Sequence, residues 1–209
     1  MKIAVINEGS TKHRNDDVLK ALDGLGHEVH NLGMKNAAGE PELTYIETGF
    51  LSALLLNLGA VDFVMGGCGN GQGYFNAVMQ FPGTACGLLI DPVDAFLWAQ
   101  VNAGNCLSLS LNKGYSLGGD VNLKYIFKAA LDQSYFGKGY PAARVEIQTG
   151  TRKQLEKLSL DAHKPMKEIL GCMDKEVIRR ALGVPGVLEF IKTHAPASDL
   201  KDCVLSLAK

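Results

Sequence analysis

Val61-Asp62-Phe63-Val64-Met65-Gly66-Gly67-Cys68-Gly69-Asn70-Gly71-Gln72-Gly73 is the stretch on which the fold of this chain turns. A short apolar run, Val61–Met65, enters five glycines in eight residues, and Tyr74–Gln80 continues with helical spacing. A strand buried on both faces reads as such an unbroken apolar run, and glycine lets the main chain turn tightly into a helix. The loop is not a dinucleotide fingerprint. Gly69-x-Gly71-x-Gly73 lacks the G-x-G-x-x-G spacing, and it follows the third predicted strand instead of the first.

The same strand-to-helix unit recurs on either side. Ile3–Ile6 predicts a strand ending in Asn7-Glu8, followed by a helix over 14–24. His27–Leu32 predicts a second strand and Thr44–Leu58 a strongly apolar helix. Thr84–Ile90 predicts a fourth strand running into Asp91-Pro92, then a helix over Asp94–Val101. Cys106–Leu111 predicts a fifth strand, followed by Asn112-Lys113-Gly114 and a helix over about 118–132. Five alternations with short connections imply an α/β fold, a five-stranded doubly wound parallel sheet with helices on both faces. Residues 137–150 read as a loop. From Thr151 the tail reads as helices interrupted near Pro165, Gly171, Gly183-Pro185 and Pro196. The expected division is a catalytic domain over 1–150 and a helical C-terminal extension over 151–209.

Composition bounds the rest. The 209 residues, 46% hydrophobic, suit one sizeable core and are too apolar for a disordered chain. No apolar run is long enough to span a bilayer, and a net charge of −1 gives no footprint for nucleic acid. The five cysteines form no CxxC pair, so neither a disulfide framework nor a zinc site is suggested. The apolar start is too short for a signal peptide, and a cytoplasmic protein is expected. Charge is unevenly placed. Residues 1–136 carry 8 basic and 13 acidic groups, and residues 137–209 carry 13 and 9.

In doubly wound sheets ligands sit outside the carboxyl ends of the strands. The candidates there are Asn7, Glu8, Cys68 to Gly73, Asp91, and Asn112 with Lys113. Cys68 stands among converging amides before a helix, where a thiolate is favoured. It can serve as nucleophile or general base, and the lack of a His partner in the manner of cysteine hydrolases favours the base. Cys86, Cys106, Cys172 and Cys203 read as small buried hydrophobes. Asp91 reads either as a helix cap before Pro92 or as a ligand contact. Asn102 and Asn105 read as helix-end residues or as ligand contacts. The histidines carry no evident chemistry; only His13 lies where it could edge a site.

Cys68-Gly69-Asn70-Gly71-Gln72-Gly73 resembles the C-G-[TN]-G-x-G loop of the ribose-5-phosphate isomerase B / galactose-6-phosphate isomerase family. Asp91-Pro92-x-Asp94-Ala95 and Gln100-Val101-Asn102-Ala103-Gly104-Asn105 are similar to that family's E-P-x-x-A and Q-H-N-x-x-N stretches. The resemblance covers roughly residues 1–150. It implies a metal- and cofactor-independent aldose–ketose isomerase, a homodimer or homotetramer with its site at the subunit interface. Cys68 would be the general base; Glu8, from its place after the first strand, is the candidate for a second catalytic group. The amides of Gly69, Asn70, Gly71, Gln72 and Gly73 would hold the enediolate. Asn7, Asp91, Asn102, Asn105, Lys113 and Arg144 would contact substrate.

The chain also departs from that family. Glu8-Gly9 stands where the family has Asp-His, and Val101 replaces its His. Leu111-Asn112-Lys113 replaces Gly-Ser-Arg, and of the late Arg-His-x-x-Arg only Arg144 remains. The missing groups are those that open a sugar ring or grip a phosphate. An open-chain uronate needs neither. The chain resembles a branch of longer members that act on 4-deoxy-L-threo-5-hexosulose-uronate. That branch shares Leu43-Thr44-Tyr45, Asp91-Pro92-Val93-Asp94-Ala95 and Lys113-Gly114. The alternatives are a sugar-phosphate isomerase and a sugar-binding module without catalysis.

Overall fold

The computed structural model describes residues 1–207. Five parallel strands, β1 (Lys2–Asn7), β2 (Glu28–Asn31), β3 (Phe63–Cys68), β4 (Cys86–Leu89) and β5 (Cys106–Ser110), form one sheet in the order β2-β1-β3-β5-β4. The chain reverses direction across the sheet between β1 and β3, so a crevice opens at their carboxyl ends. After β3 it crosses to the far edge as β4 and returns to insert β5, which places the end of β5 beside the end of β3.

Period-2 alternation divides the strands between two cores. Ile3, Val5, Phe63, Met65, Leu107 and Leu109 face α1 (Asn15–Leu22), α4 (Pro92–Leu97) and α5 (Gly119–Ala130). Ala4, Ile6 and Val64 face α2 (Tyr45–Asn57) and α3 (Gln72–Val78). The α2 helix buries apolar side chains around most of its circumference, because the tail covers its outer side. That tail comprises α6 (Val145–Ala162), α7 (Met166–Cys172), α8 (Lys175–Leu182), α9 (Val187–His194) and α10 (Asp199–Leu207). Met166, Leu170, Ile178, Leu182, Val187, Ile191 and Val204 join the same cluster as Phe50 and Leu54 of α2. The last four helices therefore share a core with the sheet.

Several boundaries differ from the sequence reading. The third strand runs on through Gly66 and Gly67 to Cys68, because both glycines sit flush against neighbours. A Cβ on Gly66 would meet the Tyr74 ring at 2.5 Å, and one on Gly67 would meet the Leu109 carbonyl oxygen at 2.3 Å. The expected loop over 137–150 ends early. After Pro141 a 3-10 turn, Ala142–Arg144, feeds directly into α6, so the division at residue 150 falls inside a helix. Gln148 bonds both the amide and the carbonyl of Tyr140, at 2.9 and 2.7 Å, and so fixes this start. Gly171 lies within α7 and does not interrupt it. Cys172 is exposed, not buried. Among the described residues, no helix is long and apolar enough to cross a membrane.

Candidate active site

The ends of β1, β3 and β5 converge on an open cleft of about 610 Å³. Glu8 and Ser10 come from the loop after β1, and Thr44 and Tyr45 from the start of α2. Cys68, Gly69 and Asn70 follow β3, and Asn112 and Lys113 follow β5. Backbone bonds stitch these loops together. The amides of Asn112 and Lys113 donate to the Gly69 carbonyl at 3.0 and 2.8 Å, and Gly9 N–H donates to the Leu43 carbonyl at 2.8 Å.

Cys68 is 7% exposed, and its thiol lies 3.7 Å from Asn70 Oδ1. The same Asn70 oxygen accepts from Gln72 N–H at 3.0 Å, an Asx turn that sets the loop. Gly71 sits at φ +81°, with its missing Cβ directed at Leu88 Cδ1 at 2.4 Å, so only glycine fits there. Among the described residues, no hydrogen bond has the amide of Gly69 or of Asn70 as its donor. Two donors without partners thus stand beside a thiol. Glu8 is largely buried and accepts a hydrogen bond from Ser10.

The wall formed by Thr44 and Tyr45 is held from behind. Glu47 accepts from Thr44 N–H at 2.8 Å and from its hydroxyl at 2.6 Å, a capping box at the start of α2. The other oxygen of this buried carboxylate lies 3.2 Å from Arg180 of α8. The Arg180 guanidinium also reaches the Glu42 carbonyl. The C-terminal extension therefore clamps one side of the cleft.

The remaining expected site residues are distributed elsewhere. Asn7 is buried and donates to Asn15 Oδ1 at 3.1 Å, and Asn7 Oδ1 has no partner. Gln72 and Gly73 open α3 without lining the cleft, and Gly73 abuts the Tyr45 ring. Asp91 caps α4, accepting from the amides of Val93 and Asp94 at 2.8 and 2.9 Å. Asn102 and Asn105 precede β5 and so lie at the opposite end of the sheet from Cys68. They line a second cavity of about 440 Å³ beneath α6. There Asn105 ties β4 to β5, accepting from Ala85 N–H at 2.9 Å and donating to the Gly83 carbonyl at 2.8 Å. Arg152, which the sequence reading passed over, donates to the carbonyls of Gln100, Val101 and Gly137 around a π-helical turn, Trp98–Asn102. Arg144 is exposed on its 3-10 turn, outside the cleft.

Asn112 joins the cleft as its place after β5 leads one to expect, whereas Ser10, Thr44 and Tyr45 line it without being among the strand-end candidates. Thr44 was signalled by the Thr-x-x-Glu capping pattern, which fixes a helix start.

A parallel sheet with a thiol-bearing glycine loop at its switch point has the architecture of an α/β enzyme whose site is built from strand-end loops. A profile described as Ribose/Galactose Isomerase matches residues 3–147, and the chain belongs to that family. It is thus a sugar isomerase, of the kind that interconverts aldoses and ketoses. No curated protein matches the chain. Among solved structures it is similar to a 4-deoxy-L-threo-5-hexosulose-uronate ketol-isomerase complexed with a tartrate. The identity is 35%, the TM-score 0.94, and the match covers 99% of each chain. It is also similar to a ribose-5-phosphate isomerase from Vibrio parahaemolyticus at 37% identity, TM-score 0.94 and 99% of each chain. A ribose 5-phosphate isomerase from Thermotoga maritima shares the fold at 23% identity and TM-score 0.56, over 71% of this chain and 97% of its own.

Proposed function

We propose that this sugar isomerase acts on an open-chain uronate such as 4-deoxy-L-threo-5-hexosulose-uronate, with Cys68 as its general base. The Cys68 thiolate takes the proton from the carbon beside the carbonyl, and the C–H electron pair becomes the C=C of an enediolate. The amides of Gly69 and Asn70 hold the developing oxyanion, and Glu8 shuttles a proton between the two oxygens. The proton on Cys68 returns to the former carbonyl carbon, which completes the aldose–ketose exchange with no net redox change. The observation that carries this reading is the meeting of one thiol, one carboxylate and two unpaired amides in a single cleft.

The substrate class rests on the charge of that cleft. Among its described lining residues, Lys113 is the one cation, and neither Arg nor His contributes. A single lysine suits a singly charged carboxylate, whereas phosphate recognition favours a bidentate arginine. The 35% identical relative named for the uronate substrate supports the same reading, and its complex holds tartrate, a dicarboxylic acid. The 37% identical ribose-5-phosphate isomerase favours a second reading, a sugar-phosphate isomerase. A homodimer or homotetramer is part of the proposal, because Asn102 can join a Cys68 cleft only across a subunit interface. Asn105, spent on Gly83 and Ala85, would support that loop.

Side-by-side assays on the hexosulose-uronate and on ribose 5-phosphate test the substrate, and faster turnover of ribose 5-phosphate would exclude the uronate reading. Cys68→Ala tests the mechanism. A drop of about a hundredfold or more is expected for loss of a general base, together with loss of solvent deuterium incorporation. Near-wild-type activity in folded Cys68→Ala would remove Cys68 from the mechanism.

A further inference from the structure

We propose that Glu28, His30 and His194 form a zinc site that ties the C-terminal helices to the edge of the sheet. Glu28 and His30 are two residues apart on β2, so their side chains leave the same face of this edge strand. His194 is the last residue of α9, 164 positions after His30. One ligand atom from each of the three lies within 4.8 Å of the other two. The Glu28 carboxylate is 2.8 Å from His30 Nε2.

A tetrahedral zinc ion with bonds of about 2.0–2.2 Å sets its ligand atoms roughly 3.3 Å apart. The Glu28–His30 contact must open slightly and His194 must close in, movements within the reach of side chains alone. The second imidazole is already oriented. His194 Nδ1 faces the Phe190 carbonyl at 3.2 Å, which places its N–H there and leaves Nε2 free as a ligand. An outer hydrogen bond of this type accompanies most metal-bound histidines. The Phe190 ring stacks on His194 at 4.2 Å and lies 4.6 Å from His30, giving both imidazoles one apolar wall. Glu28 is exposed, so solvent can bring the ion in and supply a fourth ligand. Two imidazoles and one carboxylate form a donor set suited to zinc. None of the three residues lines the Cys68 cleft, so the ion fastens the fold and takes no part in isomerisation.

The full-length chain, stripped with a chelator, is titrated with zinc chloride while bound metal and the unfolding midpoint are measured. One equivalent per chain is expected. Because the site exists only in the folded chain, the folding constant should rise about a hundredfold at a free zinc concentration a hundred times Kd. Glu28→Gln, an exposed change that leaves packing intact, and His194→Gln should each lose that equivalent and its rise in midpoint, with isomerase activity kept. Free cysteines also bind zinc, so cobalt replaces it in a second measurement. Ligation by imidazole and carboxylate gives d–d bands without thiolate-to-metal charge transfer. Failure to bind one equivalent, a thiolate charge-transfer band, or retention of the ion in both variants would overturn the proposal.

Discussion

Replacing Arg180 with Met keeps the alkyl stem of the side chain and removes its charge. In the native chain that charge sits 3.2 Å from Glu47 and also reaches the Glu42 carbonyl. Breaking a fully buried ion pair costs about 3–5 kcal/mol. Two features reduce the cost here. The Arg180 side chain is 31% exposed, so water screens the pair, and Glu47 keeps its two bonds from Thr44. A loss of about 1.5–2.5 kcal/mol is expected, in line with hydrogen bonds to charged groups. For a domain of this size each kcal/mol moves the midpoint by about 2–4 °C, which predicts a fall of about 3–10 °C. Because Glu47 anchors Thr44 in the cleft wall, KM should rise more than kcat falls. A double-mutant cycle with Glu47→Gln isolates the pair, and a coupling of about 1 kcal/mol or more is expected for side chains in contact. Calorimetry and steady-state kinetics on the four chains measure both effects. Additive single variants, or an Arg180→Met chain within about 0.5 kcal/mol of wild type with unchanged KM, would refute the clamp.

Two further perturbations probe the loop and the pH response. Gly71→Ala places a β-carbon at φ +81° and 2.4 Å from Leu88 Cδ1. The left-handed backbone costs about 1–2 kcal/mol and the overpacking about 1–3 kcal/mol more, whereas Gly69→Ala, with 3.7 Å to its nearest neighbour, should leave stability close to wild type in urea titrations. Equal stability of the two variants would contradict this geometry. Burial, reinforced by the nearby N-terminal ammonium, holds the His27 imidazole below its ordinary range. The unfolded chain therefore binds the proton more readily, and this stability contribution is full above about pH 6.5 and is lost as pH falls through the folded value. His27→Gln should flatten that acid limb in a pH series of unfolding midpoints; superimposable profiles would dismiss the imidazole as its source.

How much was legible follows from the range of each interaction. The alternation of apolar runs with helical periods is local, so the parallel sheet and the placing of Glu8, Cys68 and Lys113 at strand ends could be read directly. The position of Asn102 and Asn105 was legible too, because a residue between a helix and the next parallel strand lies at the amino end of that strand. The motif likeness places them with Cys68, and within one chain the topology sets them at the opposite end of the sheet, so the two can meet only across a subunit interface. The extent of β3 was hidden, since Gly66 and Gly67 look like loop residues until Tyr74 and Leu109 are seen pressed against them.

The α/β class, the glycine loop with its one strand-end thiol and the family likeness are all carried by patterns a few residues long and are legible without coordinates. That α7 to α10 complete the core over α2, that Arg180 reaches Glu47 and that His30 meets His194 emerges only in the folded chain. Those pairs are 133 and 164 positions apart, and no local period encodes them. They arise from how helices settle onto an apolar face, which depends on the shape of the whole core.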